Sequence, residues 1–275
     1  MKPKAFTYLR PDSVDEAVHS LGRLGEDGRV LAGGQSLVPM MNFRLVESQA
    51  LIDISNLSAL AYVRESNGEI EVGASTTQAQ LMAWPELARL NPLLNLAMPY
   101  VGHFQTRSRG TVCGSIAHSD PSSELPLCLA TLGGSVVLRS TRGTRTVSAR
   151  EFQIGMLTTA RLPDEMIVAV RFPVAGRKRG HAFAEVAQRQ GDFAICALAA
   201  VVSGNVIRLG VGGVADKPTV REWPKLTDDE IDVALNDFAW ELGGTDDHHA
   251  SAAYRRGLVR KLGRRVIEEA RKCSN

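Results

Sequence analysis

The sequence predicts an α+β protein: two small α/β subdomains at the N-terminus, then a C-terminal antiparallel sheet with helices. Three observations carry this reading. Short apolar runs alternate with a strongly periodic helix over the first part of the chain. The turn dipeptides Asn67-Gly68 and Arg142-Gly143 each join two strand-like segments. After the loop "GRKRG", Gly176 to Gly180, strand-like runs precede two long helical patterns. The expected divisions are 1–57, 58–175 and 176–275.

The first unit reads strand, helix, strand, helix, strand. In "SVDEAVHSLGRLG", Ser13 is placed to cap a helix and Glu16 occupies the capping-box position. Val14, Ala17, Val18, Leu21 and Leu24 recur at helical spacing, and Gly25 ends the run. "RVLAGG" is a short strand leaving through a turn, "SLVPMMNFRL" a short helix or turn, and "ALIDIS" another strand.

The second unit opens with the hairpin "AYVRES"/"EIEVGAS". Helical patterns follow in "TTQAQLMAWPELARL" and "NPLLNLAMPYVG". The next segment, "RSRGTVCGSIAHSDPSSELP", shows neither period and reads as an irregular polar loop. "LPLCLATLG" is a helix, "SVVLRST" and "TRTVSA" pair as a second hairpin, and "DEMIVAVRFPV" is a strand ending at Pro173. In the third unit, "HAFAEVAQ", "AICALAAVVS" and "NVIRLGVGGVA" read as antiparallel strands. "TDDEIDVALNDFAWEL" and "ASAAYRRGLVRKLGRRVIEEARK" read as helices.

Composition narrows the function classes. The chain is 44% hydrophobic and 23% charged, an ordinary soluble globular balance. A net charge of +2 gives no field for nucleic acid. The basic run "YRRGLVRKLGRR" shares its helix with an apolar face of Leu258, Leu262, Val266 and Ile267, so its charges form a wet face or a partner-docking surface. No apolar run is long enough to span a bilayer, and "MKPKAFTYLRPDS" lacks the apolar core of a signal peptide, so a cytoplasmic location is expected. Cys113, Cys128, Cys196 and Cys273 are far apart with no C-x-x-C pair, which argues against a zinc or iron–sulfur site and against a disulfide framework. His248-His249 has no third ligand at metal-like spacing and reads as a solvated helix start. No Ser–His–Asp or paired-carboxylate arrangement stands out for hydrolysis.

What remains is a pair of glycine-rich bends. Ala32-Gly33-Gly34-Gln35-Ser36 leaves a strand with little side chain and with amides and a hydroxyl that suit phosphate oxygens. It is neither a G-x-G-x-x-G fingerprint nor a P-loop with its lysine, and alone it reads equally well as a tight turn. The second bend gathers Gly110, Thr111, Gly114, Ser115, Ser119 and Asp120. Two such bends brought together would clamp a diphosphate, through charge-assisted hydrogen bonds of roughly 1.5–3 kcal/mol each.

"LAGGQSLVPMMNFRL" and "RGTVCGSIAHSDPSSELP" together resemble the FAD-binding medium subunits of the molybdenum hydroxylases, the family of xanthine dehydrogenase and carbon monoxide dehydrogenase. "FTYLRPDSVDEAV", "LIDISNLSAL", "RFP", "QRQGDFAI", "GVGGVADKP" and "ASAAYRRGLVRKL" fit the same pattern in order, so the likeness runs almost the whole chain. The resemblance implies that the two N-terminal subdomains form an FAD-binding module. Ala32, Gly33, Gly34, Gln35, Ser36 and Leu37 would wrap the diphosphate. Thr111, Gly114, Ser115 and His118 would form the second clamp, and Glu124 would bind the ribose or adenine side. Leu162 and Ile167 would lie near the isoalloxazine, and Asp192 and Phe193 would cover or gate it. It also implies a large molybdopterin-binding subunit and a small 2Fe-2S subunit as partners, arranged as a dimer of heterotrimers, with electrons passing from the clusters through FAD to an external acceptor. "TVCGS" departs from the family, which commonly has two glycines followed by Asn or Asp; a cysteine at position 113 is expected to narrow the backbone's approach to the ligand. A lysine common before the "GDFA" stretch is replaced, Ala184 and Glu185 standing there. Two other readings follow from the same residues: a stand-alone FAD-dependent oxidoreductase, and a non-catalytic assembly subunit that has lost FAD.

Overall fold

The computed structural model describes residues 2–176 and 178–273; Arg177, inside the expected boundary loop, lies outside them. The first sheet is parallel, with β1 (Thr7–Leu9), β2 (Gly28–Leu31) and β3 (Ala50–Asp53) in the order β1-β3-β2. Both connections are crossovers, and the first is the predicted helix, Val14–Leu24. Its Ala17, Val18 and Leu21 are buried in the core. Ser13 caps it, its Oγ accepting from the Glu16 amide at 3.1 Å. Only half of the expected capping box forms, because the Glu16 carboxylate accepts from the Asp12 amide instead.

The second sheet is antiparallel. It holds β4 (Val63–Ser66), β5 (Glu69–Gly73), β6 (Ser135–Ser140), β7 (Gly143–Ser148) and β10 (Met166–Pro173), in the order β4-β5-β10-β6-β7. Both predicted hairpins are present, and Asn67 and Gly68 take φ of 54° and 76°, the left-handed pair their turn requires. Between β7 and β10 lies a small hairpin that the sequence pattern does not announce, β8 (Gln153–Gly155) with β9 (Thr158–Thr159). The third sheet runs β11 (Arg179–Val186), β12 (Cys196–Ser203), β13 (Val206–Gly212) and β14 (Thr219–Pro224), all antiparallel. The edge strand β14 is not expected from the sequence. Its half-exposed residues, ending in Pro224, carry little of the alternation that marks a strand.

Helices Asp228–Leu242 and Ala252–Cys273 cover one face of this sheet through Ile231, Leu235, Phe238, Val259, Val266 and Ile267. The helix Glu124–Leu132 meets the opposite face. Its Leu125, Leu127, Cys128 and Leu129 are fully buried, and a Cβ at Gly210 would lie 2.0 Å from Thr131 Oγ1. Phe183, Ala197, Ala199 and Val201 of the third sheet join one core with residues of the first two sheets. The segment read as an irregular loop, 107–126, is corrected: it holds the short helix Val112–His118, and another short helix, Phe104–Arg107, runs up to its start. Glycine and serine inside the helix Val112–His118 dilute its helical period, and the turn is held by capping and by pairing with residues 76–78, which follow β5.

Candidate functional site

The first bend follows β2 into the short helix Leu37–Asn42. Gly33 is required by close approach: a Cβ there would lie 2.2 Å from the Arg109 carbonyl oxygen and 2.7 Å from Gly110 Cα. Gly34 has φ of 71°, a left-handed turn that swings the chain into the helix. Among the described residues, the amides of Gly34, Gln35 and Ser36 find no acceptor within the chain. Gln35 folds back and donates from Nε2 to the Gly33 carbonyl at 3.2 Å.

The second bend is tied to the stretch that leads from β5 into the helix Gln78–Met82. The Gln78 amide donates to the Gly110 carbonyl at 2.8 Å, and the Val112 amide donates to the Thr76 carbonyl at 3.1 Å. Thr111 then caps the helix Val112–His118, its Oγ1 accepting from the Gly114 amide at 2.9 Å. A Cβ at Gly114 would come 2.7 Å from that oxygen, so the bend needs glycine here. Ser119, with φ of 53°, ends the helix in the left-handed region. Cys113 corrects an expectation. Its side chain is buried in the core and its thiol faces the Val72 carbonyl at 3.5 Å, so the sulfur points away from the bend although the residue also lines the cleft. Burial pushes that thiol far above its ordinary range.

The contact of Gly33 with Arg109 and Gly110 puts both bends on one cleft of about 970 Å³. That volume is at the upper end of the roughly 300–1,000 Å³ of small-ligand sites. Its wall includes Ala32, Gly33, Gly34, Gln35, Ser36 and Leu37 from the first bend. Thr111, Gly114, Ser115, His118 and Glu124 line it from the second, with Ile167, Asp192 and Phe193 beyond. Leu162 does not line it; its neighbour Arg161 does, while Leu162 is half-exposed outside.

Several lining residues carry no mark in the sequence. Gln78 comes from a segment that reads as helix and Arg29 from one that reads as strand, while His103 and Arg161 lie between the segments the pattern assigns. Asp247, His249 and Arg255 reach the cleft from the third unit. Arg255 is buried on the first turn of the last helix. It donates to the carbonyls of Ile195 (2.6 Å) and Gly213 and pairs with Asp247 at 2.6 Å. This fastens the helix to the end of the Gly191–Ile195 segment, whose Phe193 stands exposed at the mouth. A Cβ at Gly191 would lie 2.7 Å from the His103 ring, so that segment also closes on the 102–110 stretch. No single-residue motif marks these positions; only tertiary folding gathers them.

The electrostatics are those of a partly dry site. Burial, with Asp120 nearby, pushes the Glu124 carboxyl up to about 7, so near neutrality it is partly protonated and can donate as well as accept. Glu185, behind it, is pushed up to about 8 by burial and by the Glu124 charge. Burial also lowers the pKa of His118. Gln78 Oε1 is buried without a hydrogen-bond partner at the cleft wall. The arrangement can hold an extended ligand with an anionic middle: peptide amides and hydroxyls at the bends, apolar walls beyond, and water excluded from one side.

Comparison with known proteins agrees with the geometry. A family model described as "FAD binding domain in molybdopterin dehydrogenase" matches residues 4–175. The chain is 35% identical to the nicotine 6-hydroxylase medium subunit of Paenarthrobacter nicotinovorans, over 98% of this chain and 99% of that one. It is 32% identical to the carbon monoxide dehydrogenase medium chain of Afipia carboxidovorans, covering 98% of each. Among solved structures, it superposes on reconstituted CO dehydrogenase from Oligotropha carboxidovorans with a TM-score of 0.94 at 32% identity, covering 99% of this chain and 100% of that one. With quinoline 2-oxidoreductase from Pseudomonas putida the TM-score is 0.92 at 31% identity, covering 100% and 99%.

Proposed function

This chain belongs to the FAD-binding domain family of the molybdopterin dehydrogenases, and from that premise we propose that it is the FAD-carrying medium subunit of a molybdenum hydroxylase complex. The observation that carries the reading is the contact of Gly33 with Arg109 and Gly110, which brings the two amide-rich bends to one cleft. The residues present fit FAD. Free amides at Gly34, Gln35 and Ser36, with the Ser36 and Ser115 hydroxyls, form a neutral donor set suited to a diphosphate. Bound there, FAD supplies exchange between one-electron and two-electron carriers.

This chain's residues bind, orient and seal. The first bend and the capped second bend hold the diphosphate region from two sides. Glu124, partly protonated near pH 7, offers a hydrogen bond as donor or acceptor inside the cleft. The Gly191–Ile195 segment, held by Arg255, keeps Phe193 at the mouth, where it limits water. The relatives are medium subunits of such complexes, and the molybdopterin and 2Fe-2S centres belong on a large and a small partner subunit. A dimer of such heterotrimers is the assembly proposed. The organic substrate is met by the large subunit and not by this chain. The test is co-expression with its own large and small subunits. The three chains should copurify, and substrate should bleach the yellow flavin absorbance. Turnover by this chain alone would favour a self-sufficient oxidoreductase instead.

A further inference from the structure

The border of the third sheet carries a groove that the flavin cleft does not use. β14 pairs with β13 alone, so it is the last strand on its side. Among the described residues, Thr219–Pro224 makes no backbone-to-backbone bond outside that ladder. In an antiparallel pair, alternate residues turn their amides and carbonyls away from the partner strand, so this border presents an unused row of donors and acceptors. The helix Asp228–Leu242 lies beside it, and the two enclose a groove of about 470 Å³. The groove has an apolar floor. Trp223 and Phe238 meet edge-on with ring centroids 5.6 Å apart, and Val233 lines the same groove while 62% exposed. Its rim is acidic: Asp229, Glu230, Asp237 and Glu241 line it against one cation, Arg221. Arg221 is already engaged by Glu241 and by the face of Phe238. Glu230 accepts from the Thr227 amide at 2.7 Å in the capping box. Asp229 and Asp237 are exposed and make no hydrogen bond or ion pair among the described residues.

We propose that an extended segment of another protein, with Lys or Arg at alternate positions, docks in this groove as an added strand on β14. β14 is six residues long, which sets the length of the matching segment. The backbone of the segment meets the unused row on β14, and side-chain contacts give it specificity. In a strand every second side chain faces the same way, so one set points to the helix and reaches Asp229 and Asp237. The aliphatic stems of Lys or Arg cover Trp223 and Val233 while their heads meet the carboxylates. A second copy of this border would set one acidic rim against another, which like charges oppose. A docked helix would leave the row on β14 unmet. The proposal is independent of the flavin reading, since no residue lining the groove also lines the cleft.

The test titrates the full chain into a fluorescein-labelled peptide of three Lys-Val repeats and follows anisotropy. Its controls are a peptide of three Glu-Val repeats and a block peptide with all its lysines before its valines. The alternating basic peptide should bind, and the acidic and block peptides should bind at least about tenfold more weakly. The double variant Asp229→Asn/Asp237→Asn should bind the basic peptide about tenfold more weakly, the scale of two exposed ion pairs. Neither substitution removes a bond within the chain, so the variant should melt and take up flavin as wild type does. N-methylating the peptide at its lysines or at its valines strips the amides from one edge or the other. One register should abolish binding and the other should keep it. Unchanged affinity in the double variant, or a block peptide that binds as well as the alternating one, overturns the proposal. A response to N-methylation that does not depend on register overturns strand addition. Self-association of the chain that excludes the peptide assigns the groove to a second copy and overturns the proposal, as does no binding at about 1 mM peptide.

Discussion

Glu124 is where a single side chain reports most directly on the dryness of the cleft. Burial holds its folded-state pKa at about 7, whereas an unfolded Glu titrates near 4.3. The folded chain therefore binds the proton more tightly. Its contribution to stability is fully present below about pH 4 and is lost as pH rises through 7. Glu185, at about 8, acts with the same sign. His118 and His181, both lowered by burial, act with the opposite sign in an overlapping window, so the raw pH profile mixes the two. The difference between wild type and Glu124→Gln separates them. Urea unfolding at pH 5 and pH 8 should show wild type losing more stability than the variant. The excess should be a few kcal/mol, because each tenfold gain in proton affinity on folding is worth about 1.4 kcal/mol. Equal losses would mean that this carboxyl is wet in the folded chain.

At the scale of elements, the junction of the two bends decides whether the cleft forms. Gly33→Ala places a methyl group against backbone at Arg109 and Gly110, which cannot swing aside as a flexible side chain can. The bends must part, at the roughly 1–3 kcal/mol typical of overpacking, and melting should fall accordingly. FAD affinity should fall at least tenfold with it; a variant that binds FAD as wild type does would show that the junction is not what shapes the site. The elements themselves are unevenly legible in the sequence. The helix Val14–Leu24, both hairpins, and the last two helices announce themselves by period, turn dipeptide or length. The helix Val112–His118 does not, because Gly114 and Ser115 interrupt its pattern and its pairing with the 76–78 stretch is long-range. The bends can be read as ligand-facing from their glycines and hydroxyls. Arg29, Gln78, Arg161 and Arg255 cannot, since nothing local distinguishes a cleft-lining arginine or glutamine from a surface one. Cys113 shows the converse: a residue that looks intrusive in sequence turns its thiol into the core.

For the whole molecule, the third unit completes the cleft as well as capping the fold. Its sheet buries the helix Glu124–Leu132, and its last helix sends Arg255 to the carbonyls of Ile195 and Gly213. The family match ends at residue 175, yet Asp192, Phe193, Asp247, His249 and Arg255 all reach the same cavity. The chain as a whole, not its first two sheets alone, therefore builds the cleft. No helix among the described residues is long and apolar enough to cross a membrane. The most direct test is calorimetric titration of the full apo chain with FAD, followed by competition with ADP. The account predicts one FAD per chain, released intact on denaturation, with ADP displacing it from the amides of the two bends. A chain that takes up no FAD, or one whose FAD is indifferent to ADP, would contradict a grip built on the diphosphate.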